Sequence, residues 1–282
     1  MPLVLITGAS TGIGAATATR LARGGWTVLA GVRDPAAGER LREQAPSGAI
    51  LPIELEVTDR AQIEAAARRV AETPGATVRG GLDALLNNAG IGVGGPLELI
   101  EDAELRRQFD VNVFGQIAVT RALLGALRLA RGRILFTSSI GGRVAMAYTS
   151  PYAASKHAIE AFADALRVEL QRSGIQVALL EPGSVATPIW DKSRDEAARV
   201  QIPPELTAQY GHVPDAVERT LRATAARGIP PEVVAETVEK ALGARRMRAR
   251  YLIGRDAHAM LALKRLLPDL VFDRFVRRAL GV

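Results

Sequence analysis

Tyr152 and Lys156 stand four residues apart just after Pro151, and on a helix that spacing puts their side chains on one face. A tyrosine phenol ionises near pH 10, too high for a general base at neutral pH. An ammonium beside it stabilises the phenolate, and bringing the pKa to about 7 takes roughly 4 kcal/mol of differential stabilisation. Taken alone, the pair equally fits a polar helix surface. A second stretch with chemical potential lies at the other end of the chain, Thr7-Gly8-Ala9-Ser10-Thr11-Gly12-Ile13-Gly14. It follows the apolar run Leu3-Val4-Leu5-Ile6 and precedes a helical pattern beginning at Ala15. A strand, a glycine-rich turn and a helix N-terminus in that order form an anion site. Unpaired N–H groups and the positive end of the helix dipole face the ligand, and glycines let a pyrophosphate approach the backbone.

The elements that must position these residues alternate. Strands are predicted over residues 3–6, 26–32, 50–57, 82–86, 133–137 and 175–180, with a later one at Tyr251-Leu252-Ile253-Gly254. Helices are predicted from Ala15 to the stop at Gly24-Gly25, then over 36–44, 61–70, 103–130 and from Pro151 to Leu170. This rhythm gives βαβ units and an α/β fold, a doubly wound parallel sheet of about seven strands with helices on both faces. Residues 1–282 read as a single domain, with 188–230 as a lid and 257–282 as an amphipathic tail. Ligands of open α/β sheets bind beyond the carboxyl ends of the strands. Residues 8–14, 87–90, 138–142 and 182–188 all fall at such ends and describe one elongated cleft.

Tyr152-Ala153-Ala154-Ser155-Lys156, the N-terminal glycine turn and Asn87-Asn88-Ala89-Gly90 together resemble the short-chain dehydrogenase/reductase family. So do Asn112 in Phe109-Asp110-Val111-Asn112-Val113-Phe114-Gly115, Ser139 thirteen residues before Tyr152, and Pro182-Gly183 with Thr187. The matching residues run in order from residue 3 to about 190. The resemblance implies a Rossmann sheet and a nicotinamide cofactor. Ser139 would bond the substrate oxygen, Tyr152 would exchange the proton, and Lys156 would lower the phenol's pKa while binding the nicotinamide ribose. Asn112 would hold a water in the proton relay. Gly8, Ser10, Thr11, Gly12, Ile13 and Gly14 would carry the pyrophosphate, with Asn88, Ala89 and Gly90 along the adenosine side. Pro182, Gly183, Val185 and Thr187 would lie by the nicotinamide, Thr187 contacting its carboxamide. Hydride transfer leaves an oxygen that needs a proton, and a hydroxyl with an activated phenol at neighbouring strand ends can supply it. Without the resemblance, Ser139 is a turn residue, Asn112 a polar helix residue and Thr187 the opening of the loop at Pro188.

One position departs from the family. Glu56-Val57 ends the third strand, where the family usually has aspartate and valine beside the adenine, so the longer Glu56 is expected to shift or lose that contact. The nicotinamide type is decided at the end of strand two, Gly31-Val32-Arg33-Asp34. An acid there would take both ribose hydroxyls of NAD and repel a 2′-phosphate. With Gly31 in the acid's place, Arg33 meets the phosphate and NADP(H) is preferred over NAD(H); a slip in register would offer Asp34 to the ribose.

Composition excludes several alternatives. The 282 residues include no cysteine, so disulfides, thiolate metal sites and cysteine nucleophiles are out. His157, His212 and His258 lack ligand spacing, and no metal is expected. The strand at residue 3 leaves no room for a signal peptide, and no apolar run is expected to approach the roughly 20 residues of a membrane span. A cytoplasmic enzyme is therefore expected. The net charge of +6 concentrates at Arg245-Arg246-Met247-Arg248-Ala249-Arg250, which reads as a solvated helix end rather than a nucleic-acid surface.

The lid carries Ile189, Trp190, Val200, Ile202, Leu206, Tyr210 and Val213, which suit either an apolar pocket for a lipophilic alcohol or ketone or the inner face of covering helices. With the late strand, this resembles the steroid- and retinol-like branch. In the tail, Leu263, Leu266, Leu267, Val271, Phe272, Phe275, Val276 and Leu280 oppose Lys264, Arg265, Arg274, Arg277 and Arg278. Such a face packs on the protein or lies on a membrane; packing over the substrate loop or a partner subunit is expected. The family resemblance implies a homodimer or homotetramer. A nucleotide-sensing regulator without turnover is the competing function, and it has no need of Asn112, Ser139, Tyr152 and Lys156 together.

Overall fold

The structure, a computed structural model, describes residues 1–73, 81–190 and 201–280. Its centre is one parallel sheet of seven strands: β1 (Leu3–Ile6), β2 (Thr27–Val32), β3 (Ile50–Glu54), β4 (Ala84–Asn87), β5 (Arg133–Thr137), β6 (Gln176–Pro182) and β7 (Arg250–Ile253). Their order is β3-β2-β1-β4-β5-β6-β7. Chain direction across the sheet therefore reverses between β1 and β4, and a crevice opens there beyond the strand ends.

The strands are apolar at nearly every position because both faces are covered. Val4 and Ile6 pack beneath α1 (Gly12–Arg23), α2 (Pro35–Glu43) and the later helix Pro231–Gly243, beside Leu21, Leu41, Val234 and Val238. Leu3 and Leu5 pack on the other face, where α3 (Arg60–Glu72), α5 (Gln116–Ala130) and α6 (Ser150–Glu169) contribute Ile63, Leu123 and Ile159. Predicted element order and type hold throughout, and most boundaries shift by one to three residues.

Three differences matter for the site. The first helix begins at Gly12, so the glycine turn runs directly into the helix. The third strand stops at Glu54 instead of Val57. Leu55 N still bonds Val32 O at 2.8 Å, but Glu56 N turns to Gln62 Oε1 at 2.6 Å and the chain enters α3. The helix predicted over 103–130 is α4 (Asp102–Phe109) and α5 joined by a π-helical segment, Asp110–Gly115, that contains Asn112. Contrary to expectation, Asp102–Ala130 is long and apolar enough to cross a membrane by composition. In this fold Val113, Val119, Leu123 and Leu127 place it against the sheet.

Among the described residues of the lid, one helical turn (Thr207–Tyr210) is followed by α7 (Val213–Arg227); Val200 lies outside the described residues. Helix α8 (Pro231–Gly243) ends on Arg133, whose guanidinium donates to Ala241 O, Leu242 O and Ala244 O and so closes its last turn. The arginine run beyond it is only partly a solvated helix end. Arg245, Arg246 and Arg248 are exposed, but Arg250 lies in β7 and enters a buried ion-pair cluster. The tail forms α9 (Arg255–Leu266) and α10 (Asp269–Leu280) around Pro268.

Candidate active site

The glycine turn is held by its neighbours before any ligand is considered. Thr7 Oγ1 accepts from Asn88 N at 2.9 Å and Ala89 N at 3.0 Å, tying β1 to the end of β4. Asn88 Nδ2 donates to Thr7 O at 3.1 Å and Gly8 O at 3.0 Å. That amide is therefore spent on shaping the turn, although Asn88 also lines the cleft. Gly8 and Gly12 sit at φ +63° and +56°, where L side chains are strained. A Cβ on Gly14 would fall 2.2 Å from Gly8 O and 2.7 Å from Asn88 Nδ2, so Gly14 sits behind the turn, outside the cleft lining. Asp34 and Asp59 cap α2 and α3, but no side chain caps α1 and its first turn holds no acid. Its free N–H groups border a cleft lined by Gly8, Ser10, Thr11, Gly12 and Ile13, which fits a dinucleotide pyrophosphate.

Arg33, Glu56 and Val57 line the far end of this cleft. Gly31 pairs with Ile53, and a Cβ there would sit 3.0 Å from both Ile6 O and Leu55 Cδ2, which leaves little room for an acidic side chain. Asp34 is occupied as the α2 cap, accepting from Ala36 N at 2.9 Å. Glu56 folds onto its own turn, one oxygen accepting from Thr58 N and Oγ1 at 3.2 Å, the other 3.7 Å from Arg33 Nη1.

At the other end, α6 brings Tyr152 and Lys156 together beside the end of β5. Lys156 Nζ lies 5.7 Å from the Tyr152 ring centroid and donates to Thr137 O at 2.7 Å. Ser139 Oγ accepts from Gly141 N at 3.0 Å, which aims it along a short helical turn beside the Tyr152 ring. The electrostatics differ from the sequence expectation. Burial is the main influence on Tyr152 and raises its pKa; the opposing pull comes from Ser139, not Lys156. Burial pushes Lys156 down to about 8, with the charge of Glu160 opposing it.

Asn112 is fully buried and outside the cleft lining. Its Oδ1 accepts from Ile91 N at 2.8 Å, and its Nδ2 donates to Ile91 O at 2.9 Å and Ser155 Oγ at 3.2 Å. Gln108, which the sequence reading missed, does the same work: it bonds Val93 N at 2.6 Å, Ile91 O at 3.0 Å and Ser155 Oγ at 3.3 Å. Two amides from the α4–α5 rod thus clamp the loop Ile91–Val93 beside Ala89 and Gly90. A Cβ on Gly90 would lie 3.3 Å from Asn112 Oδ1 and 3.8 Å from Lys156 Nζ, so this clamp stands directly behind the lysine.

Pro182, Gly183, Val185 and Thr187 line the cleft from the end of β6, and Thr187 Cγ2 would meet a Cβ on Gly12 at 2.9 Å. The mouth near Tyr152 is mostly apolar, with Val93, Ala147, Tyr148, Ile189, Trp190 and Val217 among its walls. Ile189 and Trp190 were predicted. Ile202, Leu206 and Tyr210 do not line it, and Val213 is buried elsewhere. Tyr148 was not predicted. It sits at φ +63°, its carbonyl accepting from Gly95 N at 2.8 Å, a backbone strain that no sequence pattern announces.

Comparison with known proteins agrees with this geometry. The family model described as short chain dehydrogenase matches residues 2–198. The chain is 36% identical over 277 residues to the uncharacterized oxidoreductase YbbO of Escherichia coli K12, covering 97% of this chain and 93% of that one. It is 31% identical to an NADPH-dependent 3-dehydrocapnine reductase of Ornithobacterium rhinotracheale (97% and 95% covered) and 36% identical to mouse retinol dehydrogenase 5 (96% and 86%). A short chain dehydrogenase/reductase from Burkholderia phymatum in complex with NAD superimposes with a TM-score of 0.80 at 26% identity, covering 94% of this chain and 92% of that one.

Proposed function

This chain belongs to the short-chain dehydrogenase family and is a nicotinamide-dependent oxidoreductase, and we propose that it interconverts a lipophilic secondary alcohol and its ketone with NADP(H). The observation that carries this reading is the meeting of Ser139, Tyr152 and Lys156 at the apolar end of a cleft whose other end is a glycine turn with Arg33 above it. When bound, the nicotinamide supplies or receives the hydride. Ser139 and the Tyr152 phenol hold the substrate oxygen, and Tyr152 gives or takes its proton. Lys156, 5.7 Å from the Tyr152 ring, would favour the phenolate while it holds its charge, beside the contribution of Ser139 that opposes burial. Asn112 acts through Ile91, holding the loop that closes the site behind Gly90.

Two features support the NADP(H) preference: Arg33 lines the cleft and Asp34 is spent as a helix cap; in this reading Gly31 takes the position of the acid that would select NAD. The NADPH-dependent relative points the same way. The apolar mouth and the likeness to a retinol dehydrogenase support a lipophilic substrate. The working form in this reading is a cytoplasmic homodimer or homotetramer.

A panel of hydrophobic ketones and alcohols, followed at 340 nm with NADPH, NADP, NADH and NAD, tests it. Tyr152→Phe is expected to keep nucleotide binding and lose about 10²–10⁴-fold in kcat, the usual worth of a placed general acid or base. Undiminished turnover in that variant would remove Tyr152 from the reaction.

A further inference from the structure

The turn that carries Ser139 is stapled to one strand at both ends. Before it, Ser138 N donates to Leu180 O at 2.9 Å; after it, Arg143 Nη1 donates at 3.0 Å to Oε1 of Glu181, the next residue of β6. Between the staples the turn closes on itself, Gly142 N bonding Ser139 O and Arg143 N bonding Ile140 O, both at 2.9 Å. Its glycines lie against α6. A Cβ on Gly141 would sit 3.1 Å from Tyr152 Cε1, and one on Gly142 would sit 3.2 Å from Lys156 O and 2.6 Å from Ser138 Oγ. The turn is thus wedged between the helix that bears the phenol and the strand that bears the carboxylate. Glu181 is 1% exposed, and the oxygen that takes Arg143 also lies 3.0 Å from Arg250 Nε of β7. Arg250 in turn donates to Glu160 Oε2 of α6 at 3.0 Å.

A buried carboxylate is costly unless it is paired, and a charge-assisted bond holds its two ends at a defined separation. Arg250 pairs Glu181 from the neighbouring strand, whereas the bond from Arg143 reaches into the Ser139 turn. We propose that Arg143 is a positioning residue for Ser139. Anchored on Glu181, it fixes where the turn sits against α6, and so where the Ser139 hydroxyl stands relative to the Tyr152 phenol. Arg143 lies outside the lining of the cleft, so its influence on the reaction passes through the turn. The Gly141 amide reports the result, because its 3.0 Å bond to Ser139 Oγ exists only while that hydroxyl is in place. The inference rests on reading Ser139 as the group that holds the substrate oxygen, and it names what places that group.

The test uses the whole protein and the variant Arg143→Met, in which Glu181 keeps Arg250 as its partner. On the ketone turned over best, kcat is expected to fall roughly 10–100-fold, the cost of misplacement on the ångström scale, with KM for the nucleotide nearly unchanged. Arg143→Lys should recover most of the loss. In a Ser139→Ala background, Arg143→Met should lower kcat much less, because the group it positions is already gone. Full turnover in Arg143→Met, or an equal loss in both backgrounds, overturns the proposal. Amide hydrogen exchange gives a readout that needs neither substrate nor nucleotide. The Gly141 amide should exchange about tenfold faster in Arg143→Met, and an unchanged rate also overturns the proposal. Should that variant not fold, Glu181→Gln weakens the same bond and is read by the same criteria. Where Ser139→Ala leaves no turnover to compare, or the wild type shows none on the panel, the Gly141 exchange decides. The second case faults the reaction assignment alone.

Discussion

Lys156 is held in the site against the cost of burying its charge. Burial lowers it from 10.5 to about 8, so between those values the folded chain binds fewer protons than the unfolded one, and stability rises with pH across that window. Glu160 runs the other way: raised from 4.5 to about 7, it makes the folded chain bind more protons in that range, so stability falls as pH rises through it. These two groups therefore leave the protein least stable between about 7 and 8. Urea titrations from pH 5 to 10 should show the trough. Lys156→Met should abolish its alkaline side and, at pH 7, stabilise by roughly 1–3 kcal/mol while ending catalysis. At the far end of the cleft, Arg33→Ala should lower kcat/KM for NADPH by roughly 10–100-fold, the worth of a charge-assisted bond, and leave NADH nearly unchanged. An equal loss for both nucleotides would place the 2′-phosphate elsewhere. The sequence identified every one of these residues except Glu160. It could not show that burial, rather than Lys156, dominates the Tyr152 phenol, because desolvation belongs to the packed state.

The elements explain how such residues are aimed. The rod from Asp102 to Ala130 winds through a π-helical segment at Asp110–Gly115, and its buried Asn112 and Gln108 both reach the backbone of the loop after β4. Asn112→Ala should leave Ile91 N without its partner and Ile91 O with Gln108 alone, costing about 1–3 kcal/mol in thermal or chemical unfolding. It should also lower kcat more than nucleotide affinity, since the loop borders Lys156 and not Arg33. A variant with unchanged stability and kcat would strip Asn112 of this role. The rod was legible as one long helix from its apolar period. Its π segment was not, because an extra residue in one turn leaves almost no trace in a hydrophobic pattern. Strand three reads as too long for a related reason: Leu55 and Val57 are apolar and buried, yet Glu56 turns the chain toward the α3 cap.

Across the whole molecule, the tail closes over the substrate end. Phe272 and Val276 of α10 pack on Val144, with Ile140, Met146 and Tyr148 of the loop after Ser139 beside them. Asp256 of α9 accepts from Ser184 N at 2.7 Å, pinning the turn at Pro182–Gly183 from the same side. Phe272→Ala should cost about 3–5 kcal/mol, a large cavity in a small satellite core, and raise KM for any lipophilic ketone of the panel that is turned over, with little change in nucleotide affinity. An unchanged KM in the folded variant would make the tail a structural cover alone. Leu266 and Leu270 of the same tail remain exposed, so its apolar face exceeds what this core uses. By itself the sequence determined the alternation of strands and helices, the cleft at the strand ends, and the phenol and ammonium on one helix face, because these follow from local period and spacing. The tertiary structure decided which of several apolar faces the tail would cover, that Asp34 caps a helix while Arg33 faces the cleft, and that Arg250 gathers Glu160 and Glu181 into one buried cluster. Those outcomes depend on which distant segments meet and how much water they exclude, and neither quantity is written in any one stretch of chain.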